Sequence, residues 1–89
     1  MLIEFDTAKR EAILKARGLD MADAGAVFSS PVITVDDDRK DYGEPRKITV
    51  GFLSGRMVVL IWTPRGEGRR IISLRKANER EQRFYGPRL

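Results

Sequence analysis

The chain contains neither cysteine nor histidine. Without cysteine there is no disulfide framework and no thiolate nucleophile, which fits a reducing cytoplasmic setting. The loss of histidine as well excludes a structural zinc site and leaves any serine without an imidazole partner. No apolar run approaches the roughly 20 residues of a membrane span. The longest, Met57 to Trp62, suits a buried strand, and its end carries the only tryptophan, expected in the core. The opening MLIEFDTAKRE lacks the layout of a signal peptide, so neither export nor a membrane is expected. At 89 residues the chain is expected to form one small domain over positions 1–89. Such a domain buries only about 60–65% of its unfolded surface, so the core is thin.

What the sequence does have is charge, unevenly spread. Residues 1–45 hold 6 Lys/Arg against 10 Asp/Glu, a net −4, while residues 46–89 hold 11 against 3, a net +8. A basic half points to a polyanion, most simply nucleic acid. The structural alternative is a solvated basic surface paired with the acidic half.

Periodicity divides the chain into short elements. Leu2 to Phe5 reads as a short opening strand or extended piece. Asp6 N-caps a helix from Thr7 to Arg17 that Gly18 ends, and Asp20 caps a second from Met21 to Phe28. Val32 to Val35 is a β-branched strand, followed by the acidic, polar loop Asp36–Glu44, expected to be the mobile segment. Arg46 to Leu53 alternates, with Ile48, Val50 and Phe52 opposite Lys47, Thr49 and Gly51. Ser54-Gly55 turns the chain into the apolar strand Arg56 to Thr63. Beyond Pro64 to Gly68 the last strand sets Arg69, Ile71, Ser73 and Arg75 against Arg70, Ile72 and Leu74, and a charged helix follows from Lys76 to Tyr85. The expected fold is α+β in the order ααββββα: a four-stranded antiparallel meander with its helices packed on one face. Lys47, Thr49, Ser73 and Arg75 would then line the other face as a cationic platform.

The junction RRIISLRKANEREQRFY, Arg69 to Tyr85, concentrates the chemistry. Arg70 and Arg75 offer guanidinium forks for phosphate, with Lys9, Arg17, Lys47 and Lys76 as further cationic contacts. Glu81 and Tyr85 are the candidates for proton transfer, Glu81 as an acid only with a raised pKa. Ser73 either orients the phosphate or caps the helix. Each residue also has a structural reading. Arg75 with Glu81 would be a surface ion pair, Arg70 an edge charge, and Glu81 with Tyr85 a helix-stabilising pair at i, i+4. Lys9 and Arg17 would be solvated helix charges. On the functional reading, Arg70, Arg75 and Glu81 converge on one phosphodiester.

Several features together resemble a known family. They are the opening Phe5-Asp6 with Lys9, the Gly18 break, Ala24-x-x-Val27-Phe28-x-x-Pro31, Glu44-x-Arg46 and Gly51. The closing R-I-I-S-x-R-x-A-x-x-x-E-x-x-x-Y, Arg70 to Tyr85, is the most specific. The chain resembles the BrnT ribonuclease toxins of type II toxin–antitoxin systems. That resemblance implies a RelE-like fold and a metal-independent endoribonuclease using no cofactor. It also implies neutralisation by a BrnA-type ribbon-helix-helix antitoxin, with DNA touched only indirectly through that antitoxin when the complex represses its operon. Cleavage would proceed by attack of the ribose 2′-hydroxyl, with the Asp36–Glu44 loop dispensable for RNA contact. The chain departs from the family pattern at Phe5, where tryptophan is usual, and at Ile13, where asparagine is usual. It departs again at Ala16-Arg17-Gly18, where the family has lysine-histidine-glycine. Arginine at position 17 keeps a positive charge but cannot shuttle a proton. A second reading follows from that change: a catalytically weakened relative acting as an antitoxin-binding corepressor or RNA-binding module.

Overall fold

The computed structural model describes residues 1–89 and contains one five-stranded sheet. Its strands are β1 (Leu2–Phe5), β2 (Ile33–Asp36), β3 (Lys47–Leu53), β4 (Arg56–Arg65) and β5 (Gly68–Lys76), in the spatial order β1-β5-β4-β3-β2. The expected meander is present as β2 to β5, each antiparallel to the next. The sheet is not wholly antiparallel, however. The opening residues form a fifth strand, β1, parallel to β5 with Leu2 opposite Gly68 and Phe5 opposite Ile71. Parallel neighbours need a long crossover, and here nearly the whole chain serves as one. No local pattern in Leu-Ile-Glu-Phe announces so distant a partner.

Helix α1 (Thr7–Arg17) starts and stops as its residues dictate. The Asp6 carboxylate accepts the Lys9 N–H at 3.0 Å, and Gly18 closes the helix in the left-handed conformation at φ 68°. The expected second helix is split into a 3₁₀ turn over Met21–Asp23 and a short α2 (Ala24–Phe28). Asp20 is the cause. Its carboxylate accepts the N–H of Ala22, only two residues on, at 2.9 Å, which tightens the first turn. It also receives a fork from Arg10 at 2.6 and 2.8 Å, tying α1 to the turn.

Ile13, Leu19, Met21, Ala24 and Val27 of this helical layer pack on Val58, Leu60, Trp62, Ile71 and Leu74 of β4 and β5. Trp62 lies in this core as expected. Its indole N–H donates to the Thr49 hydroxyl at 2.8 Å, and that hydroxyl also bonds Thr34 at 2.8 Å. The fully buried Thr49 is thereby satisfied. Removing a fully buried side chain of this layer, such as Met21 or Leu60, would cost about 2–5 kcal/mol.

Two features overturn the expected faces. In β5, Trp62 pairs with Ile71 while Ile61 pairs with Ser73, so Ile72 is an extra, bulged residue. The bulge shifts the alternation by one position. Ile71 and Leu74 therefore share the covered face, and the Arg69 guanidinium stacks on Phe28 and Trp62 at 4.0 and 4.7 Å. In β3 it is the polar set that faces the helices: Thr49 bonds Trp62, and Lys47 stands in the row of Trp62. The expected platform of Lys47, Thr49, Ser73 and Arg75 is thus divided between opposite sides of the sheet.

The second face has its own small core of Val50, Met57, Val59 and Ala77, covered by Tyr85 and Leu89. Helix α3 (Glu79–Tyr85) and the 3₁₀ turn Gly86–Arg88 pack here, so helices lie on both faces and not on one. Helix α3 begins three residues later than expected, because β5 runs on to Lys76 and Asn78 provides the N-cap.

The β1–β5 contact leaves no room for a side chain at Gly68, where a Cβ would lie 2.8 Å from Leu2 Cβ and 2.9 Å from its carbonyl oxygen. Gly68→Ala is expected to force β1 away from β5 and to lower stability by about 1–3 kcal/mol in urea unfolding. Hydrogen exchange of the β1 amides should show the same opening.

Candidate active site

Strand pairing and the bulge place three of the predicted residues in successive rows on the face away from α1. Arg75 lies beside Val59, Val50 and Ile33. Ser73 lies beside Ile61, Ile48 and Val35. Arg70 lies between Thr63 and Glu4. With one residue bulged out, Arg70 and Arg75 stand about 13 Å apart along the strand, at roughly 3.3 Å per residue. Their heads do not converge: Arg70 turns to Glu4 of β1 at 3.7 Å, and Arg75 turns to Glu81 of α3. The expected meeting of Arg70, Arg75 and Glu81 on one phosphodiester is therefore reduced to Arg75 with Glu81, and Arg70 stands at the far end of the same face.

The Arg75–Glu81 pair is a two-pronged fork, Nη1 to Oε1 and Nη2 to Oε2, both at 2.8 Å. Glu81 is also half of a capping box. Its carboxylate accepts the Asn78 N–H at 2.9 Å, while the Asn78 side chain accepts the Glu81 N–H at 2.8 Å. Asn78, and not Ser73, therefore caps the helix. The hydrogen bonds from Arg75, joined by that from the Asn78 backbone and opposed by partial burial, pull Glu81 down to about 2. The same bonds raise Arg75, against partial burial and a weak opposing charge from Arg39. In the free protein Glu81 is ionised at neutral pH and holds Arg75 in place.

A second group of cations meets Arg75 at the edge of the sheet. β1 pairs only with Gly68 to Ile71, so β5 beyond that point has β4 on one side and no strand on the other. Along this open edge Arg17 donates from Nη1 to the Leu74 carbonyl at 2.8 Å. Arg17, Arg75 and Lys76, with Ala16, line a shallow cleft of about 320 Å³. Three cations share this corner with one carboxylate ligand, Glu81. A larger cleft of about 500 Å³ between the β3–β4 turn and α3 shares Lys76 but otherwise adds only Arg56 as a cation.

The remaining predicted residues lie elsewhere. Tyr85 packs edge-on against Phe84, with ring centres 4.9 Å apart, and rests on the Val50–Val59 cluster. Lys47 is paired with Asp36 at the β2 edge of the helix-covered face. Lys9 is exposed on α1, about 12 Å from Arg17 at 1.5 Å per residue. No group of three or more acidic side chains is gathered in a way that could hold a metal ion. The Asp36–Glu44 loop, expected to be mobile, is tied down. The Asp37 side chain is shielded from solvent and held by Arg39, and the following Pro45 carbonyl accepts the Thr63 hydroxyl at 2.6 Å. The spacing Asp37-x-Arg39 in an otherwise acidic loop is the one sequence signal of this ordering.

A small basic α+β domain with a guanidinium-rich corner on its sheet belongs to the class of proteins suited to a phosphate polyanion. Over residues 5–81 the chain matches the family model of the ribonuclease toxin BrnT of type II toxin–antitoxin systems, and it belongs to that family. The family's ribonuclease character implies an RNA target, and its toxin–antitoxin setting implies a protein antitoxin as partner. The matched region takes in Arg70, Arg75 and Glu81 and stops short of Tyr85. No curated protein matches the chain. No helix is long and apolar enough to cross a membrane.

Acid stability follows from three carboxylates. Asp20 and Asp37 fall from 3.8 to about 2, and Glu81 from 4.5 to about 2. The first-ranking cause in each case is an arginine's hydrogen bonds: Arg10 for Asp20, Arg39 for Asp37 and Arg75 for Glu81. A depressed folded-state pKa contributes stability above the unfolded value and loses it as pH falls through the folded value. Urea stability is therefore expected to hold down to about pH 4.5 and to decline from there to about 2. Glu81→Gln should shrink that acid-side decline.

Proposed function

We propose that the chain is a metal-independent endoribonuclease toxin that cleaves RNA by attack of the ribose 2′-hydroxyl on the adjacent phosphorus. The observation that carries this reading is the corner where Arg75, fixed by Glu81, meets Arg17 and Lys76. In the reaction the 2′-oxygen forms a bond to phosphorus, the bond from phosphorus to the 5′-oxygen breaks, and the products are a 2′,3′-cyclic phosphate and a 5′-hydroxyl. Arg75 neutralises the charge gathering on the non-bridging oxygens, a role of about 10²–10³ in rate for one well-placed donor. Arg17 and Lys76 hold the neighbouring backbone, Ser73 orients the strand one row along, and Arg70 contacts a more distant phosphate. Lys47 and Lys9 fall outside this contact set.

The Arg75 fork gives Glu81 a conditional role. A phosphate that takes the guanidinium removes the interaction holding the carboxylate at about 2. Glu81 then returns toward the ordinary carboxylate range beside the bound phosphodiester, where it accepts the 2′-hydroxyl proton. Tyr85, on the same helix face one turn on, is the phenol assigned to protonate the leaving 5′-oxygen. A metal-free route suits a chain with no histidine and no cysteine.

The same reading includes a BrnA-type ribbon-helix-helix antitoxin that neutralises the toxin and represses the operon with it, DNA being touched through the antitoxin. It takes the scaffold as a RelE-type fold extended by the parallel strand β1. A second reading, a weakened relative acting as a corepressor or RNA-binding module, draws support from Arg17. That residue donates to the Leu74 carbonyl and cannot shuttle a proton.

Incubating the purified protein with RNA in EDTA, beside Arg75→Ala, tests the proposal. The unaltered chain should cleave and the variant should be slower by about 10²–10³. Cleavage abolished by EDTA would point to a metal enzyme. Absence of cleavage with antitoxin binding intact would favour the corepressor reading.

A further inference from the structure

A second arginine cluster lies on the Arg75 face, at the opposite edge of the sheet. The Asp37 N–H donates to the Arg46 carbonyl at 2.8 Å, continuing the β2–β3 ladder one pair beyond Asp36 and Lys47. By alternation Asp37 follows Ile33 and Val35, and so points to the face that carries Val50, Val59 and Arg75. Its side chain is 0% exposed, and a carboxylate so shielded needs partners. Arg39 provides a fork, Nε to Oδ1 at 2.7 Å and Nη2 to Oδ2 at 2.8 Å, and the Tyr42 hydroxyl adds a longer bond at 3.4 Å. The Arg46 guanidinium in turn lies over the Tyr42 ring, 4.0 Å from its centre. These contacts, with the Pro45–Thr63 bond, fold the loop onto the sheet. The Arg39 side chain itself stays 64% exposed.

We propose that Arg39 is a second phosphate contact for the RNA strand, held out by Asp37 on the far side of the face from Arg75. The proposal rests on the reading of this face as the RNA site, and it reverses the expectation that the Asp36–Glu44 loop is dispensable. A guanidinium has five N–H groups. Asp37 engages one each from Nε and Nη2, so three remain for a phosphate while the shielded carboxylate keeps its partner. Arg75 likewise gives two N–H groups to Glu81, and its Nη1 also reaches the Lys76 carbonyl at 3.3 Å. In the proposed reaction Arg75 exchanges Glu81 for substrate, whereas Arg39 binds with Asp37 still in place.

Binding to a fluorescein-labelled 2′-O-methyl oligoribonucleotide, which lacks the nucleophile, tests this by anisotropy across a salt series. Arg39→Gln is expected to weaken binding about tenfold and to reduce the slope of log K against log salt by about 0.7, the value for one phosphate contact on a single strand. Asp37→Asn keeps the arginine and one acceptor oxygen for it, so it should retain most of the binding and the full salt slope. The double variant Asp37→Asn/Arg39→Gln leaves no orphaned carboxylate and should still show the loss, with urea unfolding confirming its fold. If Asp37→Asn weakens binding as much as Arg39→Gln, or the double variant binds normally, Arg39 only orders the loop and the proposal falls. Arg75→Ala in the same assay separates the two levels. Loss with Arg75→Ala but not with Arg39→Gln rejects Arg39 alone. No loss with either variant, or no binding by the unaltered chain, rejects the RNA face itself.

Discussion

The extra residue at Ile72 is the constraint from which the candidate site follows. Without it, strict alternation would set Ser73 and Arg75 on the same face as Ile71, among the buried side chains under α1 and α2. With it, Ile71 and Leu74 both reach the core, while Arg70, Ser73 and Arg75 emerge on the opposite side. One inserted residue thus lets a strand satisfy its apolar core and still present a row of polar side chains elsewhere. The strand then runs past the end of β1, and the edge left open there is where Arg17 arrives from α1.

The arginines around this face are held by carboxylates: Arg39 by Asp37, Arg46 by Glu44, Arg70 by Glu4 and Arg75 by Glu81. Part-exposed pairs of this kind contribute little to stability, typically about 0–1 kcal/mol. Their effect is to fix where each guanidinium head stands, which is what phosphate recognition requires. The pairing also bears on the charge asymmetry. Glu4 and Glu44 of the acidic half meet Arg70 and Arg65 of the basic half, and Asp36 meets Lys47. The basic half is therefore partly neutralised from within. What stands clear is local: Arg17, Arg75 and Lys76 at the open edge, with one carboxylate among them.

Helix α3 depends on the second face of the sheet. Most of its residues are charged and none of them is buried, so it is too short and too polar to be stable alone. The capping box at Asn78, the Arg75–Glu81 fork and the seating of Tyr85 and Leu89 on Val50 and Val59 hold it in place. The contact that orders the helix is thus also the one that occupies the proposed phosphate-binding fork. Substrate binding and helix seating are coupled through a single pair of side chains.

Local physics was legible in the sequence wherever it depends on near neighbours. The Asp6 and Gly18 caps, the β2–β5 meander, the buried run Met57 to Trp62 within β4, and the family likeness from Phe5 to Tyr85 all rest on short spacings. Whatever joins residues far apart had to come from the tertiary structure. The parallel pairing of β1 with β5 joins the two ends of the chain through backbone bonds that any sequence can make. The bulge at Ile72 depends on the partner strand, because Ile71, Ile72 and Leu74 fit either phase of alternation until β4 chooses one. Asp37 lies in the loop expected to be mobile, because composition cannot show which carboxylate an arginine will cover. The residue types for handling phosphate were therefore set by the chain itself. Which of them share a surface was decided by register and by the two faces of the sheet, since a one-residue slip carries a side chain from one side to the other.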